Sequence, residues 1–80
     1  MTVSAQISLY PLRQERLSPA IEELNGRLAA AGLQPVVGPM STLVTGDAEA
    51  LFGALRDAFL QVAGTGHVVM TVTVSNACPV

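Results

Sequence analysis

The sequence predicts an α+β fold of βαββαβ order. Three patterns carry that reading: strict alternation of apolar and polar residues near both ends of the chain, two helical stripes of apolar residues, and a tightly hinged pair of short β-rich runs in the middle.

Residues 3–10, VSAQISLY, set Val3, Ala5, Ile7 and Leu9 against Ser4, Gln6, Ser8 and Tyr10. A period of two marks a strand with one face on a core. Pro11, with no N–H to give to a ladder, closes it. In LSPAIEELNGRLAAAG, Ser18 reads as an N-cap and Pro19 as the first helical residue, where its fixed φ helps and its missing N–H costs little. Ile21, Leu24, Leu28 and Ala31 then recur at helical spacing, and Gly32 is placed to cap the C-terminus. The runs LQPVVGPM and STLVTG, hinged around Pro39, Met40 and Ser41, read as an antiparallel hairpin, with Pro35 and Pro39 confining the first run to a sheet edge. Asp47 reads as the N-cap of AEALFGALRDAFLQVA, where Leu51, Leu55, Phe59 and Val62 form the core stripe, Phe52 lies at its margin, and Gly64 and Gly66 end the helix. The last run, HVVMTVTVSNACP, sends Val68, Met70, Val72 and Val74 one way and Val69, Thr71, Thr73 and Ser75 the other. In about eighty residues this order is the ferredoxin-like sandwich: a four-stranded antiparallel sheet with two helices on one face, the first strand central between the third and fourth.

Length and composition bound the rest. Eighty residues are expected to form one domain spanning 1–80, small enough that self-association is a natural support for its core. A lone cysteine, Cys78, allows no disulfide within the chain, and without CxxC or HxxxH spacing no structural metal or other cofactor is expected. Half the residues are hydrophobic and mean hydropathy is +0.49, yet no apolar run approaches the roughly 20 residues a membrane-spanning helix needs. The N-terminal residues do not read as a secretory signal, and the expected location is the cytoplasm. Four arginines and no lysine against six acids give a net charge of −2, which argues against a nucleic-acid partner.

The chemistry points to binding without catalysis. The sheet face away from the helices is expected to carry Gln6, Ser8, Tyr10, Thr71, Thr73 and Ser75, with Thr42 or Leu43 according to register. Solvated surfaces ordinarily hold charged side chains. An uncharged hydrogen-bonding face instead fits either a second copy of the sheet or a neutral heteroaromatic ligand, and both readings stand. Asp47 could face a cationic ligand or serve only as a helix cap, and Met40 could line a pocket or fill a gap. His67 at a strand start reads as solvated, and Cys78 has no feature that would lower its pKa, so no catalytic constellation is expected. Phe52 and Phe59 read as core residues, leaving Tyr10 as the aromatic for stacking.

The segments AQISLYPLRQ, GPMSTLVTGD and VVMTVTVSNACP, in that order and across nearly the whole chain, closely resemble the YkoF-type family of thiamine and hydroxymethylpyrimidine binding proteins. The resemblance implies a ferredoxin-like fold, assembly into homodimers or homotetramers through sheets, and binding of thiamine or its pyrimidine moiety in vitamin uptake or salvage. An aminopyrimidine offers an amino donor and ring-nitrogen acceptors, which Gln6, Ser8, Ser41, Thr42, Ser75 and Asn76 can match. The thiazolium of thiamine would look to Tyr10 or Asp47. The expected ligand set is therefore Gln6, Ser8, Tyr10, Met40, Ser41, Thr42, Asp47, Ser75 and Asn76, on the open sheet face or between sheet and helices. The alternative is an interaction protein whose uncharged sheet face mediates self-association.

Overall fold

The computed structural model describes residues 1–12, 18–38 and 41–77. Its elements are β1 (Thr2–Pro11), α1 (Ser18–Ala30), β2 (Val36–Val37), β3 (Thr42–Asp47), α2 (Ala48–Ala63) and β4 (Val68–Ser75). The sheet is antiparallel throughout, in the order β2-β3-β1-β4, so β1 is central between β3 and β4 as the sequence predicts.

Alternation along β1 decides where the core lies. Val3, Ala5, Ile7 and Leu9 are buried against the helices, while Gln6 and Tyr10 on the other face are exposed. Ala20, Leu24 and Leu28 of α1 meet Leu51, Ala54, Leu55, Ala58 and Val62 of α2 over that face, and Val68, Met70, Val72 and Val74 of β4 pack at its margin. At about 1.5–3 kcal/mol for each large side chain fully buried, these residues supply the main driving force for folding.

The element ends follow local chemistry. Asp47 sits in extended geometry ahead of α2 and accepts a hydrogen bond from the Ala50 N–H at 3.2 Å, the N-cap bond read from the sequence. After α1, Gly32 takes φ of +84°, and the N–H of Leu33 reaches back to the Leu28 carbonyl at 3.0 Å. That left-handed turn is one a residue without Cβ adopts readily. It drops Leu33 onto Gly46 of β3, where an added Cβ would collide with the leucine side chain. α1 begins at Ser18 itself, one residue before the sequence reading placed its first helical position.

One expectation is corrected and one left open is settled. Phe52 and Phe59 are not core residues: they are 53% and 37% exposed, and the inner positions of α2 are taken by Ala54 and Ala58. The alanines are small enough for α2 to lie close against its neighbours, which rotates both phenylalanines outward. On β3 the register is settled by pairing. Leu43 lies opposite Gln6 on the open face and is 51% exposed, whereas Thr42 lies opposite Ile7 on the helix side and is 3% exposed.

Candidate functional site

The β1–β3 ladder runs from Thr2↔Asp47 to Ile7↔Thr42 and ends there, while β1 goes on pairing with β4 as far as Pro11↔Val68. Among the described residues, the far half of β1 is thus flanked by a strand on one side only. Bond phase tells which backbone groups that affects. The Leu12 N–H donates to the His67 carbonyl at 2.8 Å, directly beyond the Pro11↔Val68 pair. Antiparallel pairs alternate between bonded and non-bonded. Pro11 therefore falls at a non-bonded position, where it lacks nothing, and so does Leu9 opposite Met70. The Leu9 N–H and C=O point away from β4, toward the side where β3 has stopped, and meet no strand among the described residues.

A cavity of about 290 Å³ lies at this notch, lined by Ile7 to Tyr10 of β1, Ile21 and Leu24 of α1, and Val37, Gly38, Ser41 and Thr42 of the β2–β3 hairpin. The hairpin closes with the Gly38 N–H donating to the Ser41 carbonyl at 2.8 Å. Among the described residues that line it, none is charged. Its volume sits at the lower edge of the roughly 300–1,000 Å³ common for small-molecule sites, and its make-up is the usual one: apolar walls with a few convergent polar groups. Thr42 donates its hydroxyl to Asn25 Oδ1 of α1 at 3.4 Å, fixing it on the inner wall. At the rim, Gln6 Nε2 donates to Ser41 Oγ at 3.3 Å, and Tyr10 is partly exposed.

The expected ligand residues therefore divide between two places. Gln6, Ser8, Tyr10, Ser41 and Thr42 gather at the notch. Asp47, Ser75 and Asn76 lie at the other end of the sheet, since Thr2 faces Asp47 and Ser4 faces Ser75. The eight residue steps of extended chain from Thr2 to Tyr10 separate the ends by roughly 26 Å. Asp47 is engaged there by its cap and by the Met1 amine at 3.6 Å, and the Asn76 amide reaches Met1 Sδ at 4.0 Å. Met40, like Cys78, falls outside the described residues. The sequence reading missed Ile7, Leu9, Ile21, Leu24, Val37 and Gly38. Five of these are apolar and counted only as core or edge, and one of the five, Leu9, also offers its backbone, which no side-chain pattern reveals.

Titratable groups stand elsewhere. The Arg27 guanidinium, hydrogen-bonded to Glu23 at 2.6 Å, has its pKa raised by that bond and then by the carboxylate's charge. It sits in a separate groove between α1 and α2. Among the described residues no three of His, Cys, Asp and Glu come together as a metal site, and no helix is long and apolar enough to cross a membrane.

These features define a small ferredoxin-like α+β protein with a cavity, uncharged among its described residues, where the central strand outruns its neighbour. The chain belongs to the YKOF-related family, whose family model matches residues 2–80. Among solved structures it is similar to a hypothetical protein of Methanocaldococcus jannaschii, with TM-score 0.87 and 20% identity over 96% of this chain and 81% of that one. It is also similar to a Thermotoga maritima protein put forward as a thiamine biosynthesis/salvage protein, with TM-score 0.79 and 19% identity over 94% of this chain and 83% of that one. A Streptococcus pneumoniae protein matches with TM-score 0.79 and 26% identity over 98% of this chain and 89% of that one. No curated protein matches the chain.

Proposed function

We propose that this protein binds thiamine or its hydroxymethylpyrimidine moiety at the notch and leaves it chemically unchanged, in support of vitamin uptake or salvage in the cytoplasm. The observation that carries the reading is the cavity at the end of the β1–β3 ladder, whose described lining is uncharged. An aminopyrimidine is flat, neutral and edged with one amino donor beside ring acceptors. Leu9 presents a backbone donor and acceptor toward that cavity, Ser41 and Thr42 add hydroxyls, and Tyr10 stands at the rim to cover a ring. Family membership and the Thermotoga maritima relative support a thiamine-related role.

The same geometry ranks the ligands. A thiazolium would find no carboxylate among the described lining residues, and Asp47 is at the opposite end of β1. Hydroxymethylpyrimidine is therefore expected to bind at least as tightly as thiamine. Thermal-shift titration with each compound, followed by mass spectrometry of the recovered ligand, tests both halves of the proposal. Stabilisation by either with intact recovery supports it. No shift at millimolar ligand removes the ligand assignment, and turnover of either compound removes the non-catalytic one.

The protein is further proposed to act as a homo-oligomer. On the alternative reading, self-association through the sheet would be its whole function, and the exposed Leu43 on the open face favours an apolar contact there.

A further inference from the structure

Asn25 lies inside α1, where asparagine is a weak helix former because its amide competes for backbone hydrogen bonds. Its side chain is turned to the sheet instead: the Thr42 hydroxyl donates to Asn25 Oδ1 at 3.4 Å. A bond that long offsets little of the lost helix propensity. Residues that break a local rule without a structural return tend to serve a site.

The cavity is close at hand. Asn25 directly follows Leu24 and stands four residues, about one helical turn, beyond Ile21, and both of those line the notch. Asn25 is not among the described lining residues; Thr42 is, and Thr42 is only 3% exposed. A threonine hydroxyl has one proton and two lone pairs. With the proton held by Asn25 Oδ1, Thr42 turns lone pairs alone to the cavity. Ser41 is polarised the other way. Its oxygen accepts from Gln6 Nε2 at 3.3 Å, which leaves its own proton to give. Two adjacent hydroxyls thus offer the notch an acceptor and a donor.

We propose that Asn25 is a positioning residue for the notch: by holding the Thr42 proton it makes Thr42 a fixed acceptor, and the site thereby selects a heteroaromatic ring bearing an amino group over the same ring bearing an oxo group. The inference rests on the notch being the ligand site, and adds which residue sets its polarity. An amino group gives Thr42 an N–H. An oxo group in its place sets two acceptors against each other, and a buried polar group left unpaired is what rejects an analogue. The Leu9 backbone cannot make this choice, since it presents one donor and one acceptor and serves either ring. Discrimination therefore falls to Thr42, and through it to Asn25.

The test is calorimetry with two probes, hydroxymethylpyrimidine and the analogue in which a carbonyl oxygen replaces its amino group, on chains first shown to keep the wild-type circular dichroism spectrum. Wild type should favour the amino compound by about tenfold. Asn25→Leu frees the Thr42 proton and should make the two affinities similar. Asn25→Asp keeps an acceptor in place and should retain the preference. Thr42→Val should lose it, and adding Asn25→Leu to Thr42→Val should leave the ratio where it was, because Asn25 acts through that hydroxyl. A purely structural role for Asn25 would lower both affinities together; an Asn25→Leu chain with the wild-type ratio overturns the proposal. So does an Asn25→Asp chain with reversed preference, which would mean that Nδ2 and not Oδ1 faces Thr42. A wild type that binds both probes equally overturns this inference and leaves the notch as the site, whereas a wild type that binds neither overturns both.

Discussion

Thr42 and Asp47 open and close the same short strand, and their side chains serve different ends. The Thr42 hydroxyl is buried against Asn25 across a long 3.4 Å bond, so its loss should matter little to stability and more to whatever the cavity holds. Thr42→Val is expected to change unfolding free energy by less than about 1 kcal/mol, measured by urea denaturation, while lowering ligand affinity severalfold. Asp47→Ala should do the reverse: about 1 kcal/mol of stability lost with the cap, and affinity unchanged. The cap was legible in the sequence, since Asp directly before AEALF has few other uses. The direction of Thr42 was not. Leu43 and Val44 are adjacent apolar residues in STLVTG, and only pairing with β1 shows that Val44 and Thr42 face the core together.

Elements show a similar division between pattern and packing. β1 and β4 could be read residue by residue because their alternation is unbroken, and the phase of burial follows it. In α2 the sequence reading weighted Phe59 as part of the stripe and gave no weight to Ala54 and Ala58. Yet the alanines face inward, and this exposes the aromatic flank. Large residues dominate a periodicity count, while small ones let two elements approach, and only the assembled fold tells which requirement prevails. Gly46 illustrates the same limit. Nothing in STLVTGD marks it as a contact point, but Leu33 packs where its Cβ would be. Gly46→Ala is expected to destabilise the protein by about 1–3 kcal/mol, because Leu33 must leave its place or β3 must shift. Thermal and urea unfolding of that variant, with circular dichroism as the probe, provide the check. A stability equal to wild type would mean that Leu33 repacks freely.

At the scale of the whole molecule, the βαββαβ order and the central place of β1 followed from hydrophobic periodicity and one hinge, because few connected topologies satisfy both. The site followed only in part. The open face was readable as uncharged, but the notch arises from β3 ending opposite Ile7 while β1 continues to Pro11, a mismatch in strand length that no local pattern encodes. That mismatch gathers Gln6, Ser8, Tyr10, Ser41 and Thr42 and leaves Asp47, Ser75 and Asn76 at the far end, which makes site and ligand separable by experiment. Isothermal titration calorimetry of hydroxymethylpyrimidine into wild type, Tyr10→Ala and Asp47→Ala is the most direct test. The expected result is micromolar binding to wild type, about −8 kcal/mol, weakened severalfold in Tyr10→Ala and unaltered in Asp47→Ala. Absence of heat with wild type at millimolar ligand, or binding lost in Asp47→Ala and retained in Tyr10→Ala, would contradict it.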